Sequence, residues 1–317
     1  MLNFGIIGMN EGNGHPYSYS AVFNGYNEDA LEKECSFEII RQYLKAHHRN
    51  RTFITDARIS HIWTQDQALS ESVARVANIP HVATSIAALA AEVDAIIFAR
   101  DDMWNHWSMA GELFQTGKPI YMDKLLAHNQ EDLDRFIAAA GPDYPLLTAS
   151  SFRFAPEVDK AEQGIDRAAV KTVHGISPCI WVRYAPHLLD PLFRLFGRDI
   201  VTVQNCGRDR ADMVCLTYRD GLQAVLQVIE GISLPLGLTC HFAGKTPPYP
   251  IYYTDPDLES YFLSIARMMA AFTELVKSGK RTESFADTVF LNRIVLAAIA
   301  SRENGGRIID LKEIMQK

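Results

Sequence analysis

Two side chains in this sequence are suited to moving a proton on and off an alcohol. One is Lys124, in Gly117-Lys118-Pro119-Ile120-Tyr121-Met122-Asp123-Lys124-Leu125-Leu126-Ala127; the other is His187, in Tyr184-Ala185-Pro186-His187-Leu188-Leu189-Asp190. Oxidising an alcohol by hydride transfer requires the hydroxyl proton to leave as the hydride departs. A base whose pKa lies near the working pH does this best, and imidazole starts at about 6.5. A neighbouring ammonium stabilises the developing alkoxide and lowers the proton affinity of the base. Lys124 directly follows an apolar run at 119–122, and open α/β sheets take their ligands at the carboxyl ends of the strands. Taken alone, a lysine after a strand is a solvated charge and a histidine at a helix start bonds backbone. The surrounding elements must decide.

The chain opens on a short apolar run, Asn3-Phe4-Gly5-Ile6-Ile7-Gly8, and a turn, Met9-Asn10-Glu11-Gly12-Asn13-Gly14-His15-Pro16. Pro16 suits the first turn of a helix, where its missing N–H costs nothing. Glycines let a ligand approach the backbone, and a helix N-terminus offers N–H groups to a pyrophosphate. The spacing is Gly-x-x-x-Gly-x-Gly instead of Gly-x-Gly-x-x-Gly, so the turn by itself reads equally as an ordinary glycine-rich loop. Further strand-like runs at 58–63, 93–99, 119–122 and 145–151 alternate with helical patterns. One helix runs through Val76, one lies near 107–116 and closes at Gly117, and one is capped by Asn129. This alternation predicts an α/β fold with a doubly wound parallel sheet over residues 1–150. Gly14 and Thr64 are 50 residues apart, whereas a ribose-binding acid is expected about 20 residues past such a turn. The excess, residues 24–56, holds a helix expected to be capped by Ser36, with Phe37, Ile40 and Leu44 along one side. It reads as a surface insertion.

Over residues 151–317 the rhythm changes. Strand-like runs at 201–203, 213–218, 223–229 and 236–242 follow one another through short turns, which predicts a mainly antiparallel sheet. Two helices follow, at 258–277 (capped by Asp257, stopped by Gly279) and 285–302 (capped by Ser284, stopped by Gly305-Gly306), then a short strand at 308–311. The second half is therefore expected to be α+β.

Composition excludes several classes. Lys+Arg 31 against Asp+Glu 38 gives a net charge of −7, so no global positive field would replace counterions on a nucleic acid. No run approaches the roughly 20 apolar residues of a membrane span. The five cysteines (Cys35, Cys179, Cys206, Cys215, Cys240) form no CxxC pair, which suits reduced thiols. With no basic leader at its start, the chain is expected to be cytoplasmic.

Four segments in order are more specific than any alone: the opening strand with its glycine turn, residues 93–99 followed by His106, the stretch 117–127, and the stretch 184–190. Together they resemble the glucose–fructose oxidoreductase/inositol dehydrogenase/MocA family of nicotinamide-dependent enzymes, over nearly the whole length. Phe152-Arg153-Phe154-Ala155-Pro156 resembles that family's Arg-Phe-x-Pro opening of the second domain. The resemblance implies a Rossmann domain, a sheet-rich second domain and a homodimer or homotetramer. It implies cofactor contacts from Gly8, Asn10, Gly12, Asn13, Gly14, Thr64, Asp66, Arg100, Asp101, His106, Asp123 and Lys124. It implies substrate contacts from Arg153, Arg183, Tyr184 and His187, catalysis by Lys124 and His187, and no metal.

The chain also departs from the family. Glu-Lys-Pro reads Asp123-Lys124-Leu125, Thr-Pro-Asn after the third strand reads Arg100-Asp101-Asp102, and the Asp four residues before the His reads Arg183. A cation at that position suits an anionic substrate, such as a uronic acid or a sugar nucleotide, since guanidinium matches carboxylate and phosphate. Equally, Arg183 pairs outward with Asp190 or Asp199. Thr64 aligns with the ribose-reading position, with Asp66 two residues on and no Lys or Arg adjacent, which favours NAD over NADP. His15 either faces the cofactor or caps its helix. Tyr249, Tyr252 and Tyr253 line a substrate rim or pack a loop, Asp190 ties down its helix, and the run from His47 to Arg51 reads as a solvated helix end. No nucleophile elbow supports hydrolase chemistry. The expected activity is hydride transfer between NAD(P) and a sugar, polyol or acidic sugar. The alternative is a catalytically inactive dinucleotide-binding sensor or assembly protein.

Overall fold

The computed structural model describes residues 1–48, 53–233, 235–253 and 258–315. The chain divides into two compact units, Met1–Ala149 with Asp257–Thr288, and Ser150–Pro256 with Val289–Lys317. A break near residue 150 was expected, but the stretch 257–288 packs with the first unit instead of remaining in a single second domain. Phe272 lies 5.5 Å from Phe4, and Arg281 donates to the Tyr144 carbonyl at 2.8 Å.

The first unit holds a six-stranded sheet built from β1 (Leu2–Ile7), β2 (Ala57–Trp63), β3 (His81–Val82), β4 (Ala95–Phe98), β5 (Ile120–Met122) and β6 (Leu146–Leu147). The strands are parallel throughout, in the order β3-β2-β1-β4-β5-β6. Phe4, Ile6, Ile7 and all of β4 are fully buried, as expected for a parallel sheet covered on both faces. The connecting helices are α1 (His15–Asn24), α2 (Glu28–Glu34), α3 (Glu38–Tyr43), α4 (Gln67–Val76), α5 (Ile86–Glu92), α6 (His106–Ala110) and α7 (Gln130–Ala140). Asp66, Ser85 and Asn129 cap α4, α5 and α7 by accepting backbone N–H bonds at 2.9, 3.0 and 2.7 Å.

The expected insertion is not a surface decoration. Asn27 caps α2, the N-cap position of α3 is Phe37 and not Ser36, and a π-helical turn, Leu44–His48, follows. Leu31, Cys35, Ile40, Tyr43 and Leu44 are all buried, each large apolar side chain contributing about 1.5–3 kcal/mol. The basic run continues past His48 to Arg51, outside the described residues.

In the second unit, α8 (Pro156–Gly164) precedes β7 (Val170–Pro178) and α9 (Trp181–Phe196). Then come β8 (Ile200–Asn205), β9 (Ala211–Tyr218), β10 (Gln223–Ile229), β11 (Gly237–Phe242) and β12 (Tyr249–Tyr252). The helix α10 (Glu259–Ser278) belongs to the first unit, and its expected cap Asp257 lies outside the described residues. The chain closes with α11 (Phe285–Glu303), β13 (Ile309–Asp310) and α12 (Lys312–Met315). The sheet order is β12-β11-β7-β10-β9-β8-β13, antiparallel except for the β7–β10 pair, which is parallel. The antiparallel expectation for this unit leaves out that pair, because β7 gives no alternating strand pattern in the sequence. Its connection includes α9, whose Leu188, Leu189 and Leu192 are fully buried and which packs on β7, β10 and β11.

Candidate active site

In the first unit the strand order reverses between β1 and β4, the switch point where open α/β sheets bind ligands beyond the carboxyl ends of their strands. The glycine turn leaves β1 there. Gly8 has φ +153°, and a Cβ on it would lie 2.8 Å from the Ala99 carbonyl oxygen. A Cβ on Gly14 would meet Ile40 and Phe37 at 2.5 and 2.6 Å, so α3 and its N-cap residue press directly on the turn. Asn13 Oδ1 accepts the His15 N–H at 2.8 Å in the turn just before α1, while its own Nδ2 is buried with no acceptor among the described groups. That orphaned donor fits a phosphate oxygen.

Beside the turn, β5 ends in a buried ionic chain. Asp123 is fully buried; its Oδ2 meets His15 Nδ1, and its Oδ1 accepts from Lys124 Nζ at 3.0 Å and from the Lys124 N–H at 2.9 Å. Burial pushes the Asp123 carboxyl up, but the charges of His15 and Lys124 and their hydrogen bonds outweigh it and hold the group well below the usual carboxylate range. Asp101 follows the same logic. Burial raises it, the Lys124 charge lowers it, and with His15 and an Asn10 hydrogen bond it settles at about 2. Asn10 binds Asp101 on both sides, donating to its carboxylate at 2.8 Å and accepting its N–H at 3.2 Å. The His15 ring stacks on Tyr19 at 4.7 Å. His15 therefore does not cap its helix; it anchors Asp123. The Lys124–Leu125 peptide is cis.

The other expected cofactor residues have mixed fates. Arg100 grips Asp102 with two hydrogen bonds, at 2.8 and 2.5 Å, and its Nη1 donates to the Met9 carbonyl and to Gln65 Oε1 at 2.8 and 2.9 Å. It clasps the turn to the end of β2. His106 is fully buried between the carbonyls of Arg100 and Leu126, so it ties two loops together instead of facing a ligand. Burial lowers its proton affinity. Thr64 is buried, its hydroxyl bonded to the Asp66 carbonyl at 2.6 Å and to Ser70 at 2.9 Å. Asp66 spends Oδ1 on its own helix. A cavity of about 710 Å³ on this unit is lined by Trp63, Ile86, Ala90, Met109, Leu113 and Lys118, and by none of the glycines or acids above.

In the second unit His187 is not at a helix start but inside α9, whose two prolines, Pro186 and Pro191, lie within the helix. Its Nδ1 meets the Ser150 hydroxyl at 2.7 Å, and its ring lies 5.0 Å from that of Tyr184. Arg183 stands one helical turn earlier, on the same face as His187. Asp199 pairs with Arg219 at 3.0 Å. Asp190 is buried, accepting the Ser150 N–H at 2.5 Å, and Arg153 reaches the Asp190 carbonyl at 3.3 Å. Asp190 thus secures the segment that carries Ser150. Tyr253 stacks on Phe152 at 4.6 Å and bonds the Ser151 hydroxyl at 2.6 Å, whereas Tyr252 is exposed. Residues 254–256 of that stretch lie outside the described residues. The partners that sequence reasoning missed are Gln65, Ser150 and the His15–Asp123 contact; all three depend on contacts distant in sequence.

No family model matches the sequence, and no curated protein matches it. Solved structures match it over nearly its whole length. The myo-inositol 2-dehydrogenase of Lactobacillus plantarum is 14% identical, with 98% of this chain and 99% of that chain covered and a TM-score of 0.73. The myo-inositol dehydrogenase of Lactobacillus casei, solved with NAD(H) and myo-inositol, is 12% identical over 98% and 96% of the two chains, with a TM-score of 0.73. An oxidoreductase of Agrobacterium radiobacter, solved with NAD+, L-tartaric acid and magnesium, is 15% identical over 99% of both chains, with a TM-score of 0.72. At these identities the likeness is one of fold, and the chain has the fold of the inositol dehydrogenases and related oxidoreductases, the glucose–fructose oxidoreductase/inositol dehydrogenase/MocA fold.

Proposed function

We propose that this protein is an NAD(P)-dependent oxidoreductase that interconverts an alcohol and a carbonyl on a sugar, polyol or acidic sugar. The observation that carries the reading is Lys124, an amine buried beside the ionised Asp123 at the switch-point edge of a parallel sheet, next to a glycine turn with an orphaned donor. The turn Gly8–Gly14 and the N-terminus of α1 hold the pyrophosphate, with Asn10 and Asp101 fixing the shape of the loop. The nicotinamide, when bound, supplies the two-electron acceptor. Lys124 orients nicotinamide and substrate and stabilises the alkoxide oxygen, and His187 takes the hydroxyl proton, its ring oriented by Ser150. The fold neighbours support the same class: one is a myo-inositol dehydrogenase solved with NAD(H) and myo-inositol, another an oxidoreductase solved with NAD+ and L-tartaric acid.

The substrate proposed is anionic, because Arg183 shares a helix face with His187 and a guanidinium pairs with carboxylate or phosphate. NAD is the proposed coenzyme, since no Lys or Arg lies at 64–66. The working form proposed is a homodimer or homotetramer, as in the family the sequence resembles.

The test is a panel of neutral polyols, uronic acids and sugar nucleotides with NAD+ and NADP+, followed by reduced-nicotinamide absorbance, alongside Lys124→Met and His187→Gln. Each substitution is expected to lower kcat by about 100-fold or more while reduced coenzyme still binds. Turnover that survives both substitutions would refute the assignment. Turnover only on uncharged polyols would remove the anionic substrate.

A further inference from the structure

We infer that His15 is a positioning residue for the proposed reaction: through Asp123 it fixes where the Lys124 ammonium points and, by gaining or losing a proton on Nε2, how much of the Asp123 charge that ammonium keeps. The inference rests on the reading of Lys124 as the group that meets the alkoxide. The buried Asp123 carboxylate divides its oxygens between two neighbours. Oδ1 accepts from both the Lys124 N–H and Lys124 Nζ, and Oδ2 meets His15 Nδ1. The last torsion of a carboxylate is broad, so the bond on Oδ2 stops the group turning and keeps Oδ1 toward Lys124. His15 is held in its turn. Asn13 accepts its backbone N–H at 2.8 Å, its ring stacks on Tyr19 at 4.7 Å, and Tyr19 meets Tyr121 edge to face at 5.8 Å. Tyr121 lies on β5 with Asp123 just beyond its end, so the contacts run from β5 through α1 and back.

The ionised Asp123 can only accept, so His15 Nδ1 carries a hydrogen and Nε2 is the basic nitrogen of the neutral ring. Among the described residues no group bonds Nε2, and the side chain is 21% exposed, so a proton reaches it from solvent. With Nε2 bare, the Asp123 charge serves Lys124 alone; with Nε2 protonated, two cations share it. The titratable groups around His15 are Asp123 and Lys124 after β5, Asp101 after β4, Tyr19 on its own helix, and His106 through the Asp123 charge. Both aspartates are held below the usual carboxylate range and stay ionised at neutral pH. Burial pushes the Tyr19 phenol well above its ordinary value and disfavours the charged form of His106. Imidazole is the side-chain type that changes charge between pH 5 and 8.

Two measurements on the full chain test this. The first uses the protein without coenzyme, isotope-labelled at lysine Cε and the histidine ring nitrogens, and follows Lys124 and His15 by NMR from about pH 5.5 to 8. Lys124→Met assigns the lysine signal. The neutral His15 ring is expected as the Nδ1–H tautomer, and the Lys124 signal is expected to move with the midpoint of His15 Nε2. That movement should vanish in His15→Asn, whose amide N–H stands where Nδ1 stood but takes up no proton. A Lys124 signal that ignores the His15 midpoint, or moves alike in His15→Asn, would overturn the inference. The second measurement is kcat on the substrate found by the panel above. His15→Phe keeps the stack on Tyr19 but offers no donor; it is expected to lower kcat about tenfold or more with KM changed less than about threefold. His15→Asn should recover most of that loss at about pH 8, where the wild-type ring is mainly neutral. A kcat for His15→Phe within about twofold of wild type, or a loss that His15→Asn does not recover, also overturns it. Turnover that survives Lys124→Met removes the proposed function itself; a required Lys124 that does not follow His15 removes this inference alone.

Discussion

Replacing Asp123 by asparagine tests the ionic chain at its centre. The carboxylate is fully buried and holds two partners, His15 on Oδ2 and Lys124 on Oδ1. An amide offers one acceptor oxygen, so its NH2 must face one of the two donors, and the Lys124 ammonium loses the carboxylate it is bonded to. Breaking a buried pair from one side costs about 3–5 kcal/mol. In a unit of this size each kcal/mol moves Tm by about 2–4 °C, which makes the expected drop about 6–20 °C. The pH dependence follows from the depressed proton affinity of Asp123. Its stabilisation is fully present above the unfolded value of about 3.9 and is lost as pH falls toward the folded one. Between pH 5 and pH 3 the gap between wild type and Asp123→Asn should narrow by about 1 kcal/mol. Urea denaturation followed by near-UV circular dichroism measures both quantities. A gap below about 1 kcal/mol at pH 7, or one that does not change on acidification, would refute the reasoning.

Two further outcomes follow from the same geometry. Gly8→Ala places a Cβ 2.8 Å from the Ala99 carbonyl at φ +153°; it should cost about 1–3 kcal/mol in urea denaturation and weaken NADH binding. Asp190→Asn should leave the fold of the second unit intact by circular dichroism but loosen Ser150, lowering kcat about tenfold, since Asp190 holds the serine that meets the His187 ring.

The alternation of elements in the first unit was legible because its central strands are buried on both faces and α2, α4, α5 and α7 carry side-chain caps. Asn129 and the stop at Gly117 (φ +68°) are local signals, and local signals survive without tertiary knowledge. What escaped was non-local. The short strand β3 has two residues and no periodicity to read. Strand β7 escaped because its apolar residues Val170, Val173 and Ile176 fall three apart instead of two, and because it contains Gly175, on which a Cβ would run into Leu226 and Leu238. Helix α9 carries Pro186 and Pro191 in its interior, which normally argues against a helix. The site followed the same division. Lys124 and the glycine turn could be chosen from their places after strands. The commitment of His106 to the Leu126 carbonyl could not, because that partner lies 20 residues away and only the fold supplies its position.

The altered glycine spacing and the long connection after α1 are two sides of one arrangement. A standard turn brings its last glycine against the neighbouring strand, but here Gly14 faces Phe37 and Ile40 from the connection itself. Phe37 also lies 6.4 Å from Tyr17 in the first turn of α1, so the connection grips the turn and the helix that follows it. The turn is then held from two directions: by α3 and its N-cap residue, and by the Arg100 clasp through the Met9 carbonyl. Such support fixes a loop whose sequence lacks the usual close-packing glycine, and it frees His15, at the helix start, to reach Asp123. The acid at position 123 is an aspartate, and the imidazole at the start of α1 secures its second oxygen.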